Sequence, residues 1–377
     1  MIRILIFGLT TGLGGVGTYL MNLYRNIDRN VIQFDFVVEG DMCYFADEIQ
    51  AMGGKIYYIK PKRKNVFLNI KDLWILLKKC RKNYKMIYFN FSVLYYNVPF
   101  ILSKLFRYPI IIAHGHNTCP KNMKNIRYLL HCINRYYVSH FSNYLFACSS
   151  QAGEWVLGKK AVEEGKVKVI PNAINAEIFK YNTEIRSIIR NELRIDKENF
   201  VVGNIGRVTY QKNQIYLIDI FKEIKKKYDK AILLLVGDGE LMDDINKKIH
   251  TLDLSDSVIL TGARSDVSKL LQAMDVFVFP SLFEGLGIVL LEAQASGLLC
   301  FASKGVIPEQ VNVTGNVKFI DLNKGPAYWA EQILKYSIVH KRKDMTETVK
   351  ISGYDIKDLA TNFQEFIISV DGNIKDK

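Results

Sequence analysis

Val276-Phe277-Val278-Phe279-Pro280-Ser281-Leu282-Phe283-Glu284-Gly285-Leu286-Gly287-Ile288-Val289-Leu290-Leu291-Glu292-Ala293 leads from a short apolar run, through a turn, into a helical pattern. Val276–Phe279 is all branched or aromatic, as expected of a strand buried on both faces. Gly285 and Gly287 then stand at a strand-to-helix junction, where backbone N–H groups can approach an anion and the helix N-terminus adds partial positive charge. Glu284 falls in the loop and Glu292 about two turns along the helix, at ~1.5 Å rise per residue. An ionised carboxylate only accepts hydrogen bonds, so this pair suits a sugar and a ribose, both rich in hydroxyls. The same residues also fit a helix-capping Glu284 and a surface Glu292.

Outward from this stretch, short β-rich runs alternate with longer amphipathic ones. In the C-terminal half the strand candidates are Phe200–Ile205, Ala231–Val236, Ser257–Leu260, Val276–Phe279 and Leu299–Ala302. Helical patterns lie between them at Asn213–Lys227, Met242–His250 and Ser265–Ala273. The N-terminal half repeats the alternation, with strands expected at Ile2–Phe7, Gln33–Val38, Ile56–Ile59, Met86–Phe89, Ile110–His114 and Tyr144–Cys148, and a helix at Gly17–Asn26. Alternation with apolar strands implies parallel sheets covered on both faces, so the expected fold class is α/β, with two doubly wound domains. The boundary is expected near Val169-Ile170-Pro171-Asn172, giving domains 1–172 and 173–354. The amphipathic tail, Asp355–Val370, is expected to pack on the second domain or to cross back to the first.

Ligands of such sheets bind beyond the carboxyl ends of the strands. Val201–Ile205 ends at Gly206-Arg207-Val208-Thr209-Tyr210-Gln211-Lys212-Asn213, which puts Arg207 and Lys212 at that edge. Fixed cations there would neutralise a nucleoside diphosphate leaving as a glycosidic bond breaks. Gly237-Asp238-Gly239-Glu240 and Thr261-Gly262-Ala263-Arg264 end the next two strands and add flexible backbone, or plain turns.

Together, G-R-x4-K, V-G-D-G, T-G and F-P-S-x2-E-G-L-G-x4-E across residues 200–302 resemble the retaining glycosyltransferases of family 4, the glycosyl transferases group 1. Gly14-Gly15-Val16-Gly17 resembles that family's glycine loop, His114-Gly115-His116-Asn117 its histidine segment, and Val169-Ile170-Pro171-Asn172-Ala173 its interdomain hinge. The segments are closest in style to bacterial enzymes of capsular or exopolysaccharide assembly. The resemblance implies the GT-B fold, two Rossmann-like domains facing each other across a cleft. It implies that Arg207 and Lys212 bind the donor diphosphate and Glu284 the transferred sugar. Glu292 would hold the ribose, Ala263 and Arg264 would lie beside the base, and His116 would meet the sugar from the opposite domain. Gly15, Gly17, Gly206, Gly237, Gly285, Leu286, Gly287, Ile288 and Val289 complete the implied donor site. Three positions depart from the family pattern: Ala173 and Asn175 in the hinge, where glycine and aspartate are frequent, and Gly115, where serine is usual. The implied reaction is front-face retention with no metal or other cofactor. The donor would be a nucleoside-diphosphate sugar, UDP favoured, and the acceptor a polyprenyl-diphosphate-linked saccharide.

The charge is unevenly placed. The chain carries +13 overall, yet residues 1–172 hold 24 Lys and Arg against 10 Asp and Glu, and the remainder is nearly balanced. Clusters stand at Lys60, Lys62, Arg63 and Lys64, at Lys78, Lys79, Arg81, Lys82 and Lys85, and at Lys121, Lys124 and Arg127, with Phe67, Trp74, Tyr84, Phe106 and Tyr108 near them. Such a surface suits an anionic membrane face or simply aids solubility, and no nucleic-acid motif accompanies it. The six cysteines, Cys43, Cys80, Cys119, Cys132, Cys148 and Cys300, show no C-x-x-C pair, as expected of free thiols in a reduced cytoplasm. The start of the sequence does not resemble a signal peptide, and no stretch of about 18 uncharged apolar residues occurs. A cytoplasmic protein is expected, peripheral at the inner membrane face if it meets lipid.

Two other readings remain. Gly12-Leu13-Gly14-Gly15-Val16-Gly17 satisfies G-x-G-x-x-G, with Glu39 as a ribose acceptor for a nicotinamide-dependent oxidoreductase. Against it, Gly12 comes late, after Leu9-Thr10-Thr11, where the fingerprint glycine should turn the strand end. The other is a non-catalytic carbohydrate-binding module, which the full set Arg207, Lys212, Glu284 and Glu292 disfavours. His114 and His116 are too few nitrogens for a closed zinc site.

Overall fold

The computed structural model describes residues 1–12, 14–118, 126–337 and 339–375. Leu13, Cys119, Lys121 and Lys124 therefore lie outside the described residues. The chain forms two compact units, one of Met1–Ala173 with the stretch from Ile356 onward, the other of Ile174–Asp355.

In the first unit seven strands form one sheet: β1 (Ile2–Phe7), β2 (Ile32–Glu39), β3 (Ile56–Ile59), β4 (Met86–Phe91), β5 (Ile110–Gly115), β6 (Tyr144–Ala147) and β7 (Val167–Val169). Their order is β3-β2-β1-β4-β5-β6-β7, and neighbours pair in parallel. The chain turns outward in both directions from β1 and β4, so their carboxyl ends flank the crevice where such sheets bind ligands. β1 and β4 are buried along most of their length, which is why they read as unbroken apolar runs. Gly8 makes the turn directly after β1 at φ 115°, and a Cβ there would lie 2.6 Å from the Asn90 carbonyl oxygen, so the position admits only glycine.

The second unit repeats the plan with six strands: β8 (Phe200–Ile205), β9 (Ala231–Val236), β10 (Val258–Leu260), β11 (Val276–Phe279), β12 (Leu299–Ser303) and β13 (Val317–Ile320). The order β10-β9-β8-β11-β12-β13 places its crevice between β8 and β11. At the opposite, amino edge, Asp275 accepts from Arg186 at 2.5 Å, from Arg190 at 2.7 Å and from the Val201 N–H at 2.7 Å. Arg186, Arg190 and Arg342 also donate to carbonyls of residues 271–274 that end the helix Val267–Ala273, where a helix leaves acceptors unsatisfied.

The helix Ile356–Lys375 belongs to the first unit. Phe363 packs on Phe34 and Tyr88, with ring centroids 6.2 and 5.5 Å away, and Phe366 on Tyr144 and Phe146 at 4.9 and 5.1 Å. Gln364 accepts from the Asp28 N–H at 2.9 Å. The two chain passages that bound the second unit run side by side, since the Ile174 N–H donates to the Tyr354 carbonyl at 3.0 Å.

Candidate functional site

The loops that follow β8 and β11 are stitched to each other across the crevice of the second unit. Leu282 N–H donates to the Gln211 carbonyl at 2.8 Å, Gln211 Nε2 to the Phe283 carbonyl at 2.9 Å, and Asn213 Nδ2 to the Pro280 carbonyl at 3.1 Å. Asn213 adopts a left-handed conformation at φ 56° and starts the helix Gln214–Lys227, so Lys212 stands two residues before that helix rather than within it. Its ammonium lies over the Phe279 ring at 4.6 Å and donates to Glu284 Oε1 at 2.6 Å. Both side chains are largely shielded, at 19% and 6% exposure, so their attraction acts in a medium poorer in water than a surface pair enjoys. An ammonium has three donors, and one goes to Glu284, which leaves capacity for an anion arriving from solvent. Arg207 is exposed at the mouth of the same crevice, while its carbonyl is held by Gln214 Nε2 at 3.1 Å.

Glu284, Gly285 and Leu286 are buried, and Gly287, at φ 80°, begins the helix Ile288–Ala295. Gly287 rather than Glu284 is the N-cap of that helix, and Glu292 is only 9% exposed, so the surface-charge role does not describe Glu292. Glu292 has no side-chain hydrogen bond or ion pair among the described residues, and burial alone pushes its carboxyl up to about 7. Val289 is half-buried on the first turn, whose N–H groups have no partner within the helix.

Three loops on the other side of the crevice share backbone bonds. Gly206 N–H reaches the Val236 carbonyl at 2.9 Å, Val208 N–H the Asp238 carbonyl at 3.0 Å, and Gly237 N–H the Gly262 carbonyl at 2.9 Å. Ala263 is exposed beside them. The Arg264 guanidinium, however, is taken up at 2.8 Å by both carboxylate oxygens of Asp266 and at 3.0 Å by Glu192. With that guanidinium engaged by two carboxylates, the exposed part of this loop is Ala263 and the backbone around it.

The crevice of the first unit is built differently. Gly15 is exposed and Gly17 buried, and both lie in the first turn of the helix Gly15–Asn26 rather than in a loop before it. At the end of β5 and just beyond it, His114 and His116 are 0% and 7% exposed, with ring centroids 4.0 Å apart. Tyr88 hydroxyl meets His114 Nδ1 at 2.5 Å and the Tyr19 hydroxyl at 3.0 Å, and His116 Nε2 meets Asn90 Oδ1 at 2.8 Å. Burial pushes the His114 imidazole well below its usual range and takes His116 down to about 3, so both are neutral. Gly115 between them has no room for a side chain, since a Cβ would meet Val156 Cβ at 2.9 Å and the Ala152 carbonyl at 3.1 Å. Packing thus accounts for the absence of serine. Glu39 is paired with Lys62 at 2.6 Å, which commits the carboxylate that a ribose would need in an oxidoreductase.

The sequence reading missed Asn90, Tyr88 and Tyr19. The available signal was a polar Asn90 inside the apolar run Met86-Ile87-Tyr88-Phe89-Asn90-Phe91. Nothing local marked Tyr19 or Tyr88, because aromatic residues at strand and helix spacing most often fill cores.

Two family models match the chain, Glycosyltransferase Family 4 over residues 13–178 and Glycosyl transferases group 1 over residues 185–349. The chain is a GT-B glycosyltransferase. This glycosyltransferase is 29% identical over 355 residues to EpsF of Bacillus subtilis (strain 168), itself named as a glycosyltransferase, with 91% of this chain and 90% of EpsF covered. It is 35% identical over 158 residues to the Escherichia coli UDP-Gal:alpha-D-GlcNAc-diphosphoundecaprenol alpha-1,3-galactosyltransferase, covering 41% of this chain and 39% of that one. Its fold matches Anabaena Alr3699/HepE, crystallised with UDP and glucose, with a TM-score of 0.80 at 20% identity over 98% of this chain and 100% of the other.

Proposed function

We propose that this glycosyltransferase moves a sugar from a nucleoside-diphosphate sugar, UDP favoured, to a hydroxyl of a lipid-linked saccharide, with retention at the anomeric carbon, in cell-surface polysaccharide assembly. The carrying observation is the Lys212–Glu284 pair held at 2.6 Å in the β8/β11 crevice with Arg207 at its mouth. Such a site puts fixed positive charge where a leaving diphosphate gathers negative charge, and a carboxylate beside it for sugar hydroxyls. The helix that starts at Ile288 adds its N–H groups on the same side. The leaving phosphate itself takes the acceptor's proton in this reading, and the protein supplies position and electrostatics. Support for the donor comes from the UDP complexes of the Anabaena neighbour, and for the acceptor from the undecaprenol-linked substrate named for the Escherichia coli relative.

The lipid-linked acceptor also fits the surface of the first unit. No described helix is long and apolar enough to cross a membrane, yet Phe67, Ile75 and Leu105 are 80%, 54% and 58% exposed among the lysines and arginines of that half. Exposed apolar side chains amid basic ones suit a peripheral contact with anionic lipid.

Calorimetry of the purified protein with UDP, GDP, ADP and NAD, repeated on Arg207→Ala, tests the reading. Tight binding of one nucleoside diphosphate, lost in the variant, supports it and names the base. Binding of NAD alone, untouched by the substitution, overturns it.

A further inference from the structure

In the crevice of the first unit, hydrogen-bond direction settles which nitrogen of His116 carries the proton. Asn90 Nδ2 donates to the Phe7 carbonyl at 3.0 Å, and a carbonyl only accepts, so the amide cannot be turned the other way. Its Oδ1 therefore faces His116 Nε2 at 2.8 Å as an acceptor, and Nε2 must bear hydrogen. The ring is neutral, held there by burial. Its Nδ1 is then a bare lone pair, buried and without a hydrogen-bond partner among the described residues. Asn172 also buries an Oδ1 without a hydrogen-bond partner among the described residues. A buried acceptor left unmet costs free energy unless a donor fills it, and an imidazole lone pair calls for an O–H group.

We propose that Asn90 is a positioning residue: it locks His116 as the Nε2–H tautomer, so that His116 Nδ1 accepts from a hydroxyl of a bound sugar. The lock is anchored in the backbone, because the amide that orients His116 is itself fixed by the carbonyl that ends β1. This rests on the glycosyl-transfer reading for the source of the hydroxyl, but the tautomer does not depend on it.

The test uses the full chain with ¹⁵N-labelled histidine, the resonances of His116 being identified by their loss in His116→Gln. In the unsubstituted protein Nε2 is expected to carry the proton and Nδ1 none. Asn90→Ala is expected to show both tautomers and to lose about tenfold in kcat/KM for UDP-glucose, while its affinity for UDP stays unchanged. Asn90→Asp keeps an acceptor for Nε2–H, so it is expected to keep the tautomer. It also favours the imidazolium, so its rate falls at acid pH, where Nδ1 is protonated, and recovers as pH rises. A fall in acceptor-free hydrolysis of UDP-glucose puts the hydroxyl on the donor sugar. A fall confined to transfer onto GlcNAc-diphosphoundecaprenol puts it on the acceptor. A proton on Nδ1 in the unsubstituted protein overturns the proposal, as does full kcat/KM in Asn90→Ala. If Asn90→Ala does not fold, the tautomer of the unsubstituted protein and the pH profile of Asn90→Asp decide. Absence of binding to UDP, GDP and ADP in every form would instead sink the donor reading and leave the tautomer standing.

Discussion

The two units share one strand order but furnish their crevices with opposite chemistry. Between β8 and β11 stand a lysine, a glutamate and an arginine, with Glu292 buried nearby. In the first unit, β4, β5 and the helix Gly15–Asn26 bring together two neutral histidines, two tyrosines and an asparagine. The contrast is sharper because the half of the sequence that holds this neutral crevice, residues 1–172, also carries the chain's excess of positive charge. A fold that places ligands at its switch point does not decide which ligand. In the proposed reaction, charge in one crevice meets a diphosphate and neutral acceptors in the other meet hydroxyls.

The largest effect is expected from the apolar contact that makes the tail helix part of the first unit. Phe363→Ala removes a buried ring from Phe34 and Tyr88 and should cost ~4 kcal/mol of that unit's stability. Differential scanning calorimetry should show its transition fall while that of Ile174–Asp355 stays in place. Next, Arg207→Ala and Lys212→Ala should each lower turnover about 100- to 1000-fold, or ~3–4 kcal/mol, the loss typical of one fixed donor at a developing charge. Near-normal steady-state rates in both would remove the distinction between a charged and a neutral crevice.

Glu292 gives a pH signature. Its carboxyl holds a proton up to about 7 in the folded chain against 4.5 for an unperturbed glutamate, so the folded state binds more protons across that window. Stability must then fall as pH rises from 4.5 toward 7 and level off above, by at most ~3 kcal/mol at 1.36 kcal/mol per pH unit. Denaturant titrations of Glu292→Gln should show this slope flattened. The smallest effect is expected at Arg264→Ala. Its guanidinium is occupied by Asp266 and Glu192, so the KM for the donor should change less than about threefold. A change of 100-fold would return that side chain to the donor site.

The sheets were legible wherever strands are buried on both faces. β1, β8, β9 and β11 lie where the apolar runs end and begin. The strands whose bounds were not read from the sequence are edges: β13, Val317-Lys318-Phe319-Ile320, is half-covered, and β7, Val167-Lys168-Val169, of which only an end at Pro171 was read, exposes its lysine and second valine. With one flank unpaired, neither needs a continuous apolar run. In the second unit, Arg207, Lys212, Glu284 and Glu292 could be read because glycines and charges mark strand ends. That Lys212 and Glu284 pair was not legible, since they are 72 positions apart and only the order of the sheet brings them together. The neutral crevice was harder still, because tyrosine and asparagine inside apolar runs look the same whether they fill a core or steer a histidine.

The tail helix also bears on how the protein is made. Phe34, Tyr88 and Phe146 emerge from the ribosome with the first half of the chain, but the helix that covers them follows only after residues 174–355. At ~5–20 residues per second that interval is on the order of ten to forty seconds. The second unit therefore has all its parts while the first still lacks its cover. During synthesis the order of completion is reversed, and the stage most prone to clumping belongs to the half that began first.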